Sequence, residues 1–254
     1  MMKFNVKKEV ELYMIFDILA DTVRTGPQLW HVDRERLEDV QNHIVNLIFI
    51  ARILRRHLPD ILDYNLVYDY ILVHDLPEAI TGDITHFEGV PEEEIKKVTS
   101  IAIDYLADKF RDVIDFRTLI GAYEERKDLE AKFVHIIDKV HSSIAFIKYQ
   151  SEKNIDVNNQ KIIPELRNLP FVDERIKKGY DVADVFFEYH RRAIEFSDEE
   201  CSRYGITRTD ADRIVMVIRE FIDELYREKV DGNIFDIKIS FPKEAEKYKR
   251  EKFE

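Results

Sequence analysis

Hydrophobic positions recur along this chain at the three-to-four-residue spacing of helices that bury one face. Residues 9–24 carry Leu12, Ile15, Phe16 and Leu19 on one side, and Thr25-Gly26-Pro27 ends that run. After a polar connection from Trp30 to Glu38, Asp39 is placed to cap a helix with the stripe Val40, Ile44, Leu47, Ile48, Ala51 and Leu54. Pro59 closes it, and a further helix is predicted from Asn65 to the pair His74-Asp75. Glu92 to Phe110 repeats the pattern behind Pro91, and a shorter helix covers Thr118 to Tyr123. The most continuous stripe is Phe133, Ile136, Ile137, Val140, Ile144 and Ile147, on a helix from Leu129 to Gln150. Residues 151–180, richer in Asn, Pro and Lys, read as a loop with a short helix. Helices over 181–197 and 207–229 follow, the second capped by Thr207 or Thr209. Ile234 to Phe241 reads as a short extended piece ahead of a frayed Lys/Glu tail. The pattern predicts an all-α protein, with a bundle over 1–150 and a C-terminal helical extension over 151–254 packed on it as one domain.

Composition sharpens this picture. Seven glycines and seven prolines in 254 residues leave few tight turns, which favours long helices over a sheet. A net charge of −12 argues against a broad nucleic-acid surface. A small anionic ligand stays open, because a buried metal and one or two arginines can set the local field. The single cysteine, Cys201, excludes an internal disulfide framework and fits a reducing compartment. No apolar run is long enough to span a bilayer, and Lys3, Lys7 and Lys8 are not followed by a signal-peptide core. A cytoplasmic protein is expected, with no membrane partner.

The chemistry gathers around Leu72-Val73-His74-Asp75-Leu76-Pro77-Glu78-Ala79-Ile80-Thr81-Gly82-Asp83. Pro77 bends or ends the helix, positions 74, 75 and 78 still share a face, and Gly82 permits a turn that returns Asp83 towards the same point. A His-Asp pair by itself is weak evidence. However, His43 lies on the apolar stripe of its helix, and Asp138 flanks the strongest stripe in the chain. A histidine on such a stripe is usually a core residue, and an aspartate beside one usually pairs with Lys or Arg. Nothing structural demands two half-buried acids facing two half-buried imidazoles. Imidazole and carboxylate together suit a divalent transition metal, and the acids Glu78 and Asp83 suit activation of its water.

This pattern resembles the HD-domain metal-dependent phosphohydrolases, and within them the YfbR-like 5'-deoxyribonucleotidase branch. Arg24-Thr25-Gly26 with Trp30 is similar to the branch's Arg-Thr-Gly-Trp segment, although Pro27, Gln28 and Leu29 intervene here. Glu38-Asp39-Val40-Gln41-Asn42-His43 is similar to its first-ligand segment, with Asn42 in place of an acid. Leu72 to Asp83 resembles its His-Asp-x-x-Glu-x-x-x-Gly-Asp block, and Glu130 to Lys139 its last-ligand helix. His141-Ser142-Ser143 replaces the Met- and Glu-containing motif that usually follows the last ligand. The resemblance covers about residues 10–150. It implies an HD-domain helical bundle whose His43, His74, Asp75 and Asp138 hold one divalent cation, Mn²⁺, Co²⁺ or Mg²⁺. It further implies Glu78 and Asp83 as catalytic acids and bases, Arg24 on phosphate, Trp30 on sugar or base, and a homodimer. A two-metal site would draw on His86, His135 or His141. No second histidine pairs with His86, so one metal is expected. His31, His57 and His190 read as surface or packing residues.

The expected activity is hydrolysis of nucleoside 5'-monophosphates. Two alternatives use the same residues: a phosphodiesterase or nucleoside triphosphate hydrolase, and a non-catalytic metal- or nucleotide-binding regulatory module. A triphosphate pocket would gather several Lys or Arg near the site, and residues 70–90 contain none.

Overall fold

The structure, a computed structural model, describes residues 6–29, 32, 37–85, 90–151 and 194–231. Among these residues every regular element is helical, apart from one isolated antiparallel bridge between Val23 and Asp39. The elements are α1 (Lys7–Ile18), α2 (Thr25–Leu29), α3 (Val40–Leu54), α4 (Tyr64–Val73), α5 (Glu78–Thr81) and α6 (Glu92–Phe110). They continue with α7 (Phe116–Glu124), α8 (Leu129–Ser151), α9 (Asp198–Tyr204) and α10 (Arg208–Asp231). A 3₁₀ turn at Arg55–His57 finishes α3. None of the described helices is long and apolar enough to cross a membrane.

Local signals explain where these helices begin. Asp39 caps α3 by accepting from the Asn42 N–H at 2.7 Å, which fixes the first turn just before His43. Asp63 caps α4 and Asp115 caps α7 in the same way. Asp128 accepts from the Ala131 N–H at 2.8 Å at the start of α8, and its other oxygen takes the Tyr70 hydroxyl at 2.6 Å. Thr207 and Asp210 make reciprocal bonds at the start of α10, as Thr207 in the cap position predicts.

Helix α8 is the axis of the core. Its Phe133, Ile137 and Val140 are fully buried and pack among Ile44 and Leu47 of α3, Val67 and Ile71 of α4, and Ile120 of α7. Ile194 and Phe196, together with Ala211, Ile214, Ile218 and Ile222 of α10, belong to the same buried cluster. Asp138 lies on the flank of this core-forming face, directly after Ile137.

Two expectations are corrected. The first helix stops at Ile18 rather than continuing to residue 24. Residues 22–24 run extended instead, because the Thr22 carbonyl accepts from the Val40 N–H at 2.9 Å and the Arg24 N–H donates to the Glu38 carbonyl at 3.0 Å. Residues 194–197 are not helical. Ser197 instead opens α9 with a capping box to Glu200, so the acidic run 198–200 begins a helix in place of ending one. The stretches 152–193 and 232–254, including the expected helix over 181–193 and the extended piece Ile234 to Phe241, lie outside the described residues.

Gly82 ends α5 with φ 74° and ψ 167°, a region essentially restricted to glycine. An added Cβ would meet no atom within 4 Å, so any penalty comes from backbone alone. Gly82→Ala is therefore expected to cost about 1–3 kcal/mol in urea unfolding, without a packing clash to relieve.

Candidate metal centre

Three helices deliver the expected ligands to one place. His43 lies in the first turn of α3, His74 follows directly on α4, and Asp138 sits midway along α8. His43 Nε2 is 3.2 Å from Asp138 Oδ1 and 3.5 Å from Asp75 Oδ2, and His74 Nε2 is 3.1 Å from Asp75 Oδ2. Both imidazoles are buried, and neither Nε2 has a hydrogen-bond partner. His74 Nδ1 lies 2.9 Å from the Ile71 carbonyl, which can only accept. The Nδ1 of His74 therefore carries the proton, and its Nε2 lone pair is turned towards the carboxylates. The His74 Nε2 lone pair and the buried His43 Nε2, each close to carboxylate oxygens, make a mixed nitrogen and oxygen donor set suited to a divalent cation.

Electrostatics agree with this. Burial would raise the Asp138 carboxyl, but Lys139, His43 and Arg24 hold it well below the usual carboxylate range. Asp75 is likewise held down against burial by His74 and His43. Burial would lower the His74 imidazole, yet Asp75 and Asp138 raise it above its ordinary value. The site thus favours positive charge at its centre. Burial pushes the His43 imidazole down to about 4, so it is neutral and available as a ligand at neutral pH.

The two further acids sit beside this set. Pro77 ends the α4 run, and Glu78 opens the short helix α5. Burial, Asp75 and Asp83 together push the Glu78 carboxyl well above its ordinary value, with Arg24 opposing them. Asp83 Oδ2 accepts from the Thr25 N–H at 2.7 Å, and the Thr25 hydroxyl donates to the Asp83 carbonyl. That contact ties the Gly82 turn to the segment carrying Arg24. Burial would lower the Arg24 guanidinium, but Asp138, Asp75, Asp83 and Glu38 raise it. Arg24 accordingly lies within the field of the same acids, and its Nε is 3.9 Å from Glu38. The three residues that separate Gly26 from Trp30 are absorbed in α2, so the insertion leaves Arg24 at the site. Trp30 lies outside the described residues, as do His31, His86 and His190.

Several groups at the site were not assigned a role by sequence reasoning. Tyr123 packs its ring edge against His74 at 5.3 Å, and burial together with Asp138 and Asp75 pushes its hydroxyl well above the ordinary value. Glu124 is raised by burial and by Asp75. Both lie at the end of α7, where an aromatic-acidic pair carries no distinctive sequence signal. His135 and His141, the candidates for a second metal, have other partners. His135 stacks on Tyr123 at 4.0 Å and donates from Nε2 to the Tyr123 carbonyl at 2.9 Å, whereas His141 Nδ1 lies 2.8 Å from His43 Nδ1. His57 is exposed on the 3₁₀ turn and bonded to Arg56, as an ordinary surface residue would be.

His135 makes the acid response of the fold testable. Burial pushes its imidazole down to about 4 against the hydrogen bond to Tyr123. The unfolded chain takes up that proton near 6.5, so the stabilisation is complete above 6.5 and is lost as pH falls towards 4. The loss is expected to be roughly 2–3 kcal/mol. His135→Phe, which keeps the stack on Tyr123, should flatten this part of the pH dependence in urea unfolding of the chelated protein.

Comparison with known proteins agrees with the geometry. An HD domain model matches residues 16–168, more than half of the chain and every ligand named above. The chain belongs to the HD-domain family. The 5'-deoxynucleotidase hdd1 of Schizosaccharomyces pombe is 27% identical over 159 residues, which cover 59% of this chain and 78% of that protein. The mouse 5'-deoxynucleotidase HDDC2 is 26% identical over 128 residues, covering 47% of this chain and 60% of HDDC2. The matched part thus spans less than two thirds of the HDDC2 protein. Among solved structures, the PH0347 protein of Pyrococcus horikoshii superposes with a TM-score of 0.55 at 20% identity, covering 86% of this chain and 98% of the other. A "predicted metal-dependent phosphohydrolase" of Magnetospirillum magnetotacticum superposes with a TM-score of 0.51 at 16% identity, covering 91% and 97%. These two likenesses bear on the fold. Membership of the HD-domain family implies a divalent metal, and the donor set of His43, His74, Asp75 and Asp138 fits one.

Proposed function

We propose that this HD-domain protein is a phosphomonoesterase that hydrolyses nucleoside 5'-monophosphates, the deoxy forms among them, to nucleoside and phosphate. The observation that carries the reading is the half-buried Arg24 guanidinium, 3.9 Å from Glu38 and held positive by Asp138, Asp75 and Asp83, beside the buried His43 and His74 imidazoles. A planar guanidinium there can grip one phosphate with two parallel hydrogen bonds. The absence of Lys and Arg from residues 70–90 favours a single phosphate over a triphosphate. The names of the relatives hdd1 and HDDC2 support the same substrate class.

His43, His74, Asp75 and Asp138 would hold the cation, and mixed nitrogen and oxygen donors favour Mn²⁺ or Co²⁺ over Mg²⁺. Such a cation polarises a phosphoryl group and lowers the pKa of water. Glu78, whose carboxyl is raised by burial, Asp75 and Asp83, takes the proton from the attacking water. Asp83, fixed by Thr25, positions that water or returns a proton to the leaving 5'-oxygen. Arg24 orients the phosphate, and Trp30 packs on sugar or base. The proposal includes a cytoplasmic homodimer, whose mass sedimentation measures directly.

The test is phosphate release from ribo- and deoxynucleoside 5'- and 3'-monophosphates, triphosphates and an aryl diester, using metal-stripped protein reloaded with Mn²⁺, Co²⁺ or Mg²⁺. Turnover of 5'-monophosphates is expected, with KM raised about tenfold or more in Arg24→Lys as the two-pronged contact is lost. Turnover confined to triphosphates or diesters would move the activity to those substrates, and no turnover by metal-loaded protein would favour a regulatory module.

A further inference from the structure

His43 reaches its tautomer differently from His74. It lies inside α3, where the carbonyl one turn back, on Asp39, already accepts the His43 backbone N–H at 3.1 Å. Its Nδ1 instead meets His141, three residues beyond Asp138 on α8, at 2.8 Å, with ring centroids 4.9 Å apart. His141 is buried in turn, and its Nε2 lies 3.5 Å from Glu38 Oε1. Glu38 is held by the Asn46 amide at 3.3 Å, and its backbone N–H donates to the Tyr149 hydroxyl at 3.1 Å.

Two ring nitrogens 2.8 Å apart must share exactly one proton, since two protons clash and two lone pairs repel. Only two arrangements satisfy this. In one, His43 Nδ1–H donates to His141 Nδ1, the His141 Nε2–H points at the Glu38 carboxylate, and His43 Nε2 presents a lone pair to Asp75 and Asp138. In the other, His141 Nδ1–H donates to His43, a bare His141 Nε2 faces the negative Glu38, and the His43 Nε2–H excludes a metal. We propose that Glu38 and His141 form a positioning relay that selects the first arrangement and thereby presets His43 as a metal ligand. An imidazole serves as a one-way acceptor only when its second nitrogen is committed elsewhere, and Glu38 supplies that commitment. The relay also links the metal ligand to Arg24, 3.9 Å from the same carboxylate.

The inference rests on the metal reading above, and the experiment separates the two. Mn²⁺ affinity is measured on metal-stripped protein by competition with a fluorescent chelator, for the parent, Asp138→Ala, His141→Leu and His141→Asn, with thermal unfolding to verify folding. His141→Leu removes the acceptor but keeps apolar bulk, and is expected to bind Mn²⁺ about 10–100-fold more weakly. His141→Asn places a carbonyl near the lost Nδ1 and is expected to recover most of that loss. A parent that binds no Mn²⁺, or an Asp138→Ala that binds equally well, would overturn the metal reading itself. A metal-binding parent with an equally tight His141→Leu would overturn the relay alone and leave His141 as packing. If the leucine variant does not fold, ring ¹⁵N shifts of the Zn²⁺-loaded parent decide. His141 protonated at Nε2 and bare at Nδ1 is expected, and a protonated Nδ1 overturns the proposal.

Discussion

Asp138→Ala is expected to lose divalent-metal binding and to lower kcat/KM by ~10³-fold or more, because a bound cation supplies several kcal/mol of charge stabilisation. The aspartate contributes the α8 side of the centre, 3.2 Å from His43 Nε2. Its charge also supports the positive charge on Arg24, so its loss weakens the metal ligand set and the phosphate-facing cation together. The fold should survive, since Asp138 flanks the core stripe of α8 and the Phe133, Ile137 and Val140 packing does not depend on it. Thermal unfolding checks this cleanly. Saturating the parent with Mn²⁺ at about a hundred times Kd should add roughly 2.7 kcal/mol of stability. Asp138→Ala should show the metal-free transition with or without Mn²⁺.

Glu78→Gln is expected to separate binding from chemistry. Glu78 stands outside the four ligands, at the start of α5, with its carboxyl pushed up by burial and by Asp75 and Asp83. The amide keeps the shape and removes the proton acceptor. A fall of about 10²–10⁴-fold in kcat, with Mn²⁺ affinity kept within a few fold, is the size a lost general base implies. A glutamine variant with parental kcat would remove Glu78 from the mechanism and leave Asp83 as the acid to test.

Much of this arrangement was legible in the sequence because helical periodicity carries direction as well as element type. The stripe from Val40 to Leu54 placed His43 inward and the stripe of α8 placed Asp138 at its edge, while their pairing as candidate ligands came from the family resemblance. Pro77 and Gly82 announced the break and turn that bring Glu78 and Asp83 back. What the pattern could not carry were contacts specified by geometry across elements. The extended pairing of Thr22 to Arg24 with Glu38 to Val40 depends on backbone groups whose partners are far along the chain, so the first helix seemed to run on. The helix expected over 181–197 ran through Ser197, although Ser followed three residues later by Glu is a capping signature. His141 looked like a spare metal ligand, since nothing in spacing distinguishes an imidazole that binds metal from one that orients a neighbour's imidazole. Glu38 stood in the first-ligand motif with no partner visible from sequence.

The most direct test of the central claim is anomalous diffraction from a Mn²⁺-loaded crystal, recorded on both sides of the manganese edge. One peak enclosed by His43 Nε2, His74 Nε2 and the carboxylates of Asp75 and Asp138 is the result this account predicts. A peak elsewhere, or none there in crystals whose protein binds Mn²⁺ in solution, would contradict it.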